Sequence, residues 1–317
     1  MSSQPKKGWP WEVAPAPVLS AEALAALPRI SIVTPSFNQA DFIEETILSI
    51  LGQNYPKLEY IVMDGGSTDG SAEIIRSYES RLTYWVSEKD RGQSHAINKG
   101  LKRCTGDIFN WINSDDLLLP GALWAVAKAW QQRPGSIVAG GTEFFNSGGT
   151  FATTRARGQT LRNFVRFWES ADWEWAQQGT FLPLAGVQAI DGVEEKLRYC
   201  MDYQMMVRLL MRGLEVSYVD RPLARFRFHD MSKTVGSREQ FRLERVPMLR
   251  AIPDLPIAVT AAEWDRQQAR RLVDVAIGAA RGGRVTRGLQ LFARSLATSP
   301  CGATQELFAR CRARATG

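Results

Sequence analysis

The chain has 317 residues, 44% hydrophobic and 23% charged, which is enough apolar surface for a sizeable core and excludes a disordered chain. Its net charge of +6 is unevenly placed: from Trp264 to Gly317 ten Arg and no Lys stand against three acidic residues, and the rest is close to neutral. No apolar run is long enough to span a bilayer, the amino-terminal stretch lacks a signal-peptide core, and the four cysteines form no CxxC pair, so a reducing, cytoplasmic compartment is expected.

Residues 1–28 are rich in Pro, Ala and Trp and read as an extended lead-in that ends in an Ala-rich turn of helix. Trp9 and Trp11 are expected to pack on the main domain. A strong alternation then begins. Ile30 to Val33 is a buried strand, and Asp41 to Leu51 a helix with Ile43, Ile47, Ile50 and Leu51 on one face. Asp41 and Glu44 have the spacing of a capping box. Further strands are predicted over 58–63, 82–86, 107–112 and 137–145. Helices are predicted from the turn at 64–70 to about Tyr78, over 94–103 and over 120–132. Strands alternating with short helices imply βαβ units and a mostly parallel sheet. Beyond Phe151 the pattern loosens. A helix is predicted over 194–213, and period-two alternation marks a strand at 225–229. From Trp264 to Ser299 two helices form a hairpin around Arg281-Gly282-Gly283-Arg284. The basic surface of this segment suits either a solubilised helix face or contact with an anionic membrane or acidic partner.

In such sheets ligands gather at the carboxyl ends of the strands. That rule singles out the loops Thr34 to Gln39, Asp64 to Gly70, Glu88 to Gln93 and Asn113 to Asp116. No GxGxxG follows the first strand and no GxxxxGK[ST] occurs, which removes the usual signatures of hydride transfer and P-loop hydrolysis. Adjacent carboxylates at Asp115 and Asp116 repel each other unless a divalent cation offsets their charge, and oxygen ligands favour Mg²⁺ or Mn²⁺. A helix cap is the plainer alternative. His229 shares a face with Arg225 and Arg227, with Phe226 and Phe228 expected to face a core, and it is either a metal ligand or a structural group. His95 reads as an exposed or supporting residue. Asp202 lies among Met201, Tyr203, Met205 and Met206. Partial burial there would raise its pKa toward that of a general base, and a salt bridge to Arg208 or Arg198 is the alternative.

Taken together, Thr34-Pro35-Ser36-Phe37-Asn38, Asp64 to Gly70, Asp90-Arg91-Gly92-Gln93 to Asn98-Lys99-Gly100, Asn113 to Asp116, Tyr199 to Tyr203 and Phe228-His229 resemble the family 2 glycosyltransferases, over about residues 29–235. More narrowly they are similar to bacterial enzymes of cell-surface polysaccharide assembly of the colanic-acid type. The resemblance implies a GT-A fold, a Rossmann-like sheet flanked by helices. Residues 29–145 would form the nucleotide-sugar half, 146–235 the acceptor half and 236–317 a helical appendage. It implies an inverting transfer from a nucleoside-diphosphate sugar, most often a UDP-sugar, to a glycan or lipid-linked acceptor. Thr34, Pro35, Ser36 and Asn38 would border the nucleotide, and Asp64 would accept from the base. Asp90, Gly92, Gln93, Asn98 and Lys99 would line the ribose and diphosphate. Asn113 and Ser114 would complete the donor site, Asp115 and His229 would hold Mn²⁺ or Mg²⁺, and Asp116 would support metal or sugar. Asp202 would be the base, with Gln178, Gly179 and Thr180 near the acceptor.

Two departures weaken that pattern. Asn113 stands where many members carry the first Asp of DxD, and Met201 replaces an acid often found before the base. They keep open a catalytically impaired scaffold or sugar-nucleotide-binding protein on the same fold. The QxxRW motif of processive synthases is absent. The expected partners are the sugar nucleotide, the acceptor and, through the basic carboxyl-terminal helices, the inner membrane face. No nucleic acid is expected, and the sequence leaves the oligomeric state open.

Overall fold

The predicted alternation is realised as one mixed sheet in the computed structural model, which describes residues 8–11, 17–230, 232–233 and 237–315. Two units divide the chain. The first runs to Lys196 and resumes over Met201–His229, and the second takes Leu197–Cys200 and the residues from Asp230 onward. Residues 1–7 and 12–16 of the expected lead-in, and the expected boundary at 235 and 236, lie outside the described residues.

In the first unit, after the short helix α1 (Ala21–Ala25), strands β1 (Ile30–Ser36), β2 (Leu58–Asp64), β3 (Tyr84–Ser87) and β4 (Ile108–Trp111) alternate with helices α2 (Ile43–Leu51), α3 (Ser71–Ser77) and α4 (Gln93–Leu101). The strands lie parallel in the order β3-β2-β1-β4. Ser36 pairs in register with Asp64, and Asp64 with Ser87, so the carboxyl ends of three strands reach one edge together. β1 is buried along its whole length, as a strand covered on both faces must be. α2 sets Ile43, Ile47, Ile50 and Leu51 against it at steps of four, three and one residues, and the three isoleucines are completely buried. Each such side chain contributes about 1.5–3 kcal/mol. α4 comes closer still. A Cβ at Gly100 would stand 2.5 Å from Val33 Cγ1, so glycine sets the helix-to-sheet spacing.

The sheet continues through the short strand β5 (Leu117–Leu118), helix α5 (Ala122–Gln132), strands β6 (Ile137–Asn146) and β7 (Gly149–Thr154), helix α6 (Leu161–Val165), strand β8 (Thr180–Pro183), helices α7 (Leu184–Gln188) and α8 (Met201–Met211), and strand β9 (Val216–Arg227). From β4 the order is β8-β6-β9-β5, with β7 added to β6. β8 is antiparallel to both neighbours, whereas β6 and β9 are parallel. Trp9 packs against Gly52 and its indole N–H donates to the Leu118 carbonyl at 2.8 Å, as expected of the lead-in.

Several local expectations are corrected. α2 has no Asp41–Glu44 capping box: its N-cap is Phe42, and the Gln39 carbonyl accepts from the Phe42 and Ile43 amides. Glu44 instead accepts from the Tyr78 hydroxyl at 3.0 Å. The helix predicted from 194 starts at Met201, because the Glu244 carboxylate binds the amides of Arg198, Tyr199 and Cys200. The strand predicted at 225–229 begins at Val216 and ends at Arg227. Phe226 and Phe228 are half-buried rather than in a core, and stack edge-on with Phe144.

The second unit is helical: α9 (Arg238–Arg250), α10 (Ala261–Arg281), α11 (Val285–Thr298) and α12 (Pro300–Ala315). Thr260 and Glu263 form a full capping box at the start of α10. Its partner helix α11 follows a turn in which Gly283 takes φ +77°, a conformation that favours glycine. Leu272, Val275, Ala276 and Leu291 pack between them. Asp274, largely buried, pairs with Arg242 and Arg310 across three helices. Among the described residues, no helix is long and apolar enough to cross a membrane.

Candidate functional site

The loops at the carboxyl edge of β1, β2 and β3 are knitted by their own side chains. Asn38, at φ 52°, donates its amide to Ser67 Oγ at 2.8 Å and accepts from the Thr68 amide. The Asp64 carboxylate accepts from the amides of Gly66 and Ser67 and from the hydroxyls of Ser67 and Ser87. It is almost completely buried, and these contacts use it to shape the turn, whereas the expectation set it against the base. Burial pushes the Asp69 carboxyl up, but bonds from the Ser71 hydroxyl and the Ala40 and Ser71 amides outweigh it and hold it low. Asp90 does face this edge. Its Oδ1 accepts from the Gly92 amide at 2.7 Å, and its Oδ2 lies 2.9 Å from where a Cβ at Gly65 would stand. Phe37 Cδ2 lies 3.3 Å from the same point, and Phe37 is 59% exposed. Phe37 was not selected from the sequence, although an aromatic residue in a polar strand-end loop was the available signal. The Ser36 hydroxyl is buried here with no hydrogen-bond partner among the described residues.

A second cluster forms where β4 ends. His229 Nε2 lies 2.9 Å from Asp115 Oδ2, so the two predicted metal ligands converge. The Phe42 ring packs 4.4 Å from the imidazole. Asp116 points inward and is 0% exposed. Its oxygens accept from the Arg227 amide at 3.0 Å and from the side-chain amides of Asn113 and Gln178 at 3.1 Å each. Burial, and then the neighbouring Asp115 carboxylate, hold its carboxyl well above the ordinary range. Asp116 therefore braces the loop and does not face a sugar. Arg227, also not selected from the sequence, donates to the Asp115 carbonyl at 2.9 Å and pairs with Glu45 at 2.6 Å. Its period-two spacing with His229 was the legible hint.

Asp202 sits in the first turn of α8, half-buried, and accepts from the Tyr203 amide at 2.7 Å. Arg208 is turned to the carbonyls of Ile190 and Gly192. A line of contacts joins Asp202 to the Asp115 loop. The Ser94 hydroxyl, in the first turn of α4, donates to the Met201 sulfur at 2.6 Å, and the adjacent Gln93 amide donates to Asn113 Oδ1 at 2.7 Å. The first turns of α4 and α8 thus meet beside the end of β4.

Other expected site residues are turned inward. Thr34 is completely buried against the Tyr60 hydroxyl, and Pro35 is buried within β1. Asn98 spends its amide on the Val193 backbone, and Lys99 pairs with Glu88. Ser114 is buried. Gln178 serves Asp116, and Thr180 donates to the Ala176 carbonyl. A Cβ at Gly179 would stand 2.5 Å from the Gly140 carbonyl oxygen. Gly179 and Thr180 pack the start of β8 against its neighbours, Gln178 braces the Asp116 loop, and all three expected acceptor residues are buried.

Among the described residues no group of three or more His, Cys, Asp or Glu is arranged to hold a metal. The pair at Asp115 and His229 still fits a divalent ion. One carboxylate oxygen and one imidazole nitrogen converge, and an ion of this kind takes its remaining ligands from phosphates and water.

Comparison with known proteins bears on the family and the fold. The sequence profile described as Glycosyl transferase family 2 matches residues 31–181. The chain is 39% identical over 92 residues to a putative teichuronic acid biosynthesis glycosyltransferase, TuaG, of Bacillus subtilis, covering 28% of this chain and 36% of that protein. It is 35% identical over 94 residues to an uncharacterized glycosyltransferase of Mycobacterium tuberculosis, covering 29% and 36%. The matches therefore span about a third of these relatives' length. Among solved structures, S. aureus TarS residues 1–349 in complex with UDP-GlcNAc aligns at a TM-score of 0.60 and 16% identity, covering 88% of this chain and 83% of that one. A mannosyltransferase of Pyrobaculum calidifontis in complex with GDP-Man and Mn²⁺ aligns at 0.50 and 21%, covering 97% and 79%. At these identities the structures show the shared fold.

Proposed function

We propose, from the premise that residues 31–181 form a glycosyl transferase family 2 domain, that the chain is a cytoplasmic, inverting glycosyltransferase. It moves a sugar from a UDP-sugar to a hydroxyl of a glycan or lipid-linked acceptor in cell-surface polysaccharide assembly. The observation that carries this reading is the convergence of Asp115 and His229 at the end of β4, tied through Gln93, Ser94 and Met201 to Asp202. TuaG is named as a putative glycosyltransferase of teichuronic acid biosynthesis, and TarS has been captured with UDP-GlcNAc.

The donor's base lies at the edge of β1 to β3. Phe37 offers an exposed ring to stack on it, and Asp90 Oδ2 accepts from a ring N–H, since Oδ1 is already engaged by Gly92. One available oxygen matches the single ring N–H of uracil. Asp115 and His229 would hold Mn²⁺ or Mg²⁺, which offsets the charge that develops on the diphosphate leaving group. Asp202 takes the proton of the acceptor hydroxyl as that oxygen attacks the anomeric carbon. The new C–O bond forms as the bond to the diphosphate breaks, so one displacement inverts the centre. Asp116 and Arg227 keep the Asp115 loop in place throughout.

A nucleotide-release assay over a panel of UDP-sugars, with Mn²⁺, tests the reading. Release of UDP that rises when an acceptor glycan is added is expected. Tight UDP binding with no turnover on any donor would favour the non-catalytic scaffold instead.

A further inference from the structure

Where β6 and β9 end, the sheet has one charged face and one aromatic face. The strands pair Glu143 with Arg225, Phe144 with Phe226 and Phe145 with Arg227. Alternation sends Glu143, Arg225 and Arg227 to one side, where Arg225 pairs with Glu143 at 3.1 Å and Arg227 with Glu45 at 2.6 Å. Phe144, Phe226 and Phe228 go to the other, with ring centroids 5.8, 5.9 and 5.0 Å apart in edge-on contacts. A β-bulge adds a fourth ring. β7 sets Ala152 opposite Phe144 and Thr150 opposite Phe145, so Phe151 is the extra residue between them. Its ring joins the cluster 5.2 Å from Phe228, yet Phe151 stays 55% exposed. Bulges re-aim side chains beside functional surfaces, and this one delivers an aromatic ring to solvent rather than to a core.

The surroundings select an occupant. From 142 to 146 and from 224 to 228 no charged side chain lies on this face, and β7 contains none. An anionic surface or polyanion would therefore meet no cation here. A second copy needs roughly 800 Å² per partner, whereas four rings of about 150–250 Å², three of them half-buried, expose far less. Asn146 follows Phe144 by two residues and is exposed on the same face. Its Oδ1 accepts from the Gly148 amide at 2.8 Å, which leaves Nδ2 without a partner among the described residues. Flat aromatic surface beside an uncharged amide donor suits a neutral sugar, whose C–H face covers a ring while a hydroxyl meets the amide. Phe228 directly precedes His229, so this face borders the transfer site at the end of β9. The expected acceptor residues Gln178, Gly179 and Thr180 are buried, so a glycan needs another surface.

We propose that Phe144, Phe151, Phe226 and Phe228, with Asn146, form a binding face for an uncharged glycan, holding sugars outside the one that is modified. The class of ligand rests on the transferase reading above; the site itself is additional to it. The test is a saturation-transfer titration of the full chain with cellotetraose, maltotetraose and chitotetraose, without donor. Binding of at least one, unchanged by salt, is expected. Phe151→Ser should lower that affinity at least about tenfold. Phe151→Leu, which keeps apolar bulk without a ring, should lower it about fivefold, and Phe151→Trp should hold it within about twofold. Position 151 is exposed, so the variants should melt with the wild type, and if Phe151→Ser unfolds, Phe151→Leu decides. Binding of none of the three glycans, binding that salt abolishes, unchanged affinity in a folded Ser or Leu variant, or a dimer that Phe151→Ser dissolves would overturn the proposal. Turnover is not read: glycan binding without transfer would fail the transferase reading alone, and transfer without glycan binding here would fail this one alone.

Discussion

Asp202, Asp115 and Asp90 are three carboxylates in one domain with three different expected consequences on substitution. A positioned base is worth roughly 10²–10⁴ in rate. Asp202→Asn is therefore expected to lose at least about a hundredfold in kcat while binding UDP as the wild type does, and near-normal turnover would remove the base assignment. Asp90→Asn and Phe37→Ala should weaken UDP binding by about tenfold or more, measured calorimetrically, because each would remove a proposed contact to the base. GDP binding should change less in Asp90→Asn. Asp69 gives a pH prediction. Its carboxyl is held below its ordinary 3.8, so its contribution to stability is complete above that value and is lost as pH falls through the lowered one. Asp69→Asn should flatten the acid limb of a melting-temperature profile, and an unchanged limb would contradict the assignment. The approach of Asp115 to His229 was foreshadowed in the sequence because their chemistry is rare in its setting. The inward turn of Asp64 and Asp116 was not, because a strand-end carboxylate reads the same whether it faces a cleft or its own loop. The positions of Gly66, Ser67 and Ser87, and of Arg227, Asn113 and Gln178, decide between them.

Among the elements, β1, α2 and β2 announced themselves through periodicity that burial then satisfied. Ile47→Ala, completely buried on α2, is expected to cost about 2–5 kcal/mol by denaturant unfolding, and a loss below about 1 kcal/mol would mean that α2 does not anchor the sheet. Gly100→Ala should also destabilise, since α4 must retreat from Val33. The misread elements share a cause. Most of β9 was hidden because Asp220 and Pro222 interrupt the alternation, and the register shifts opposite Gly140 and Gly141 absorb that interruption. The start of α8 was hidden because the amides before it are bound by Glu244, a residue distant in sequence. Local pattern cannot report a cap supplied from elsewhere.

At the scale of the molecule, charge is nearly neutral up to Glu263 and basic beyond it, and the structure divides into an α/β unit and a helical unit. What the sequence left illegible was the aromatic face of Phe144, Phe226 and Phe228, because alternation alone does not distinguish an apolar face that meets a core from one that meets solvent. The central claim belongs to the first unit: Asp115 and His229 together recruit the ion that holds the donor's diphosphate. Calorimetric titration of UDP with and without Mn²⁺ tests it directly, in the wild type, His229→Ala and Asp202→Asn. Mn²⁺ is expected to tighten UDP binding at least about tenfold in the wild type and in Asp202→Asn, and to lose that effect in His229→Ala. An equal Mn²⁺ effect in His229→Ala, or none in the wild type, would contradict the account.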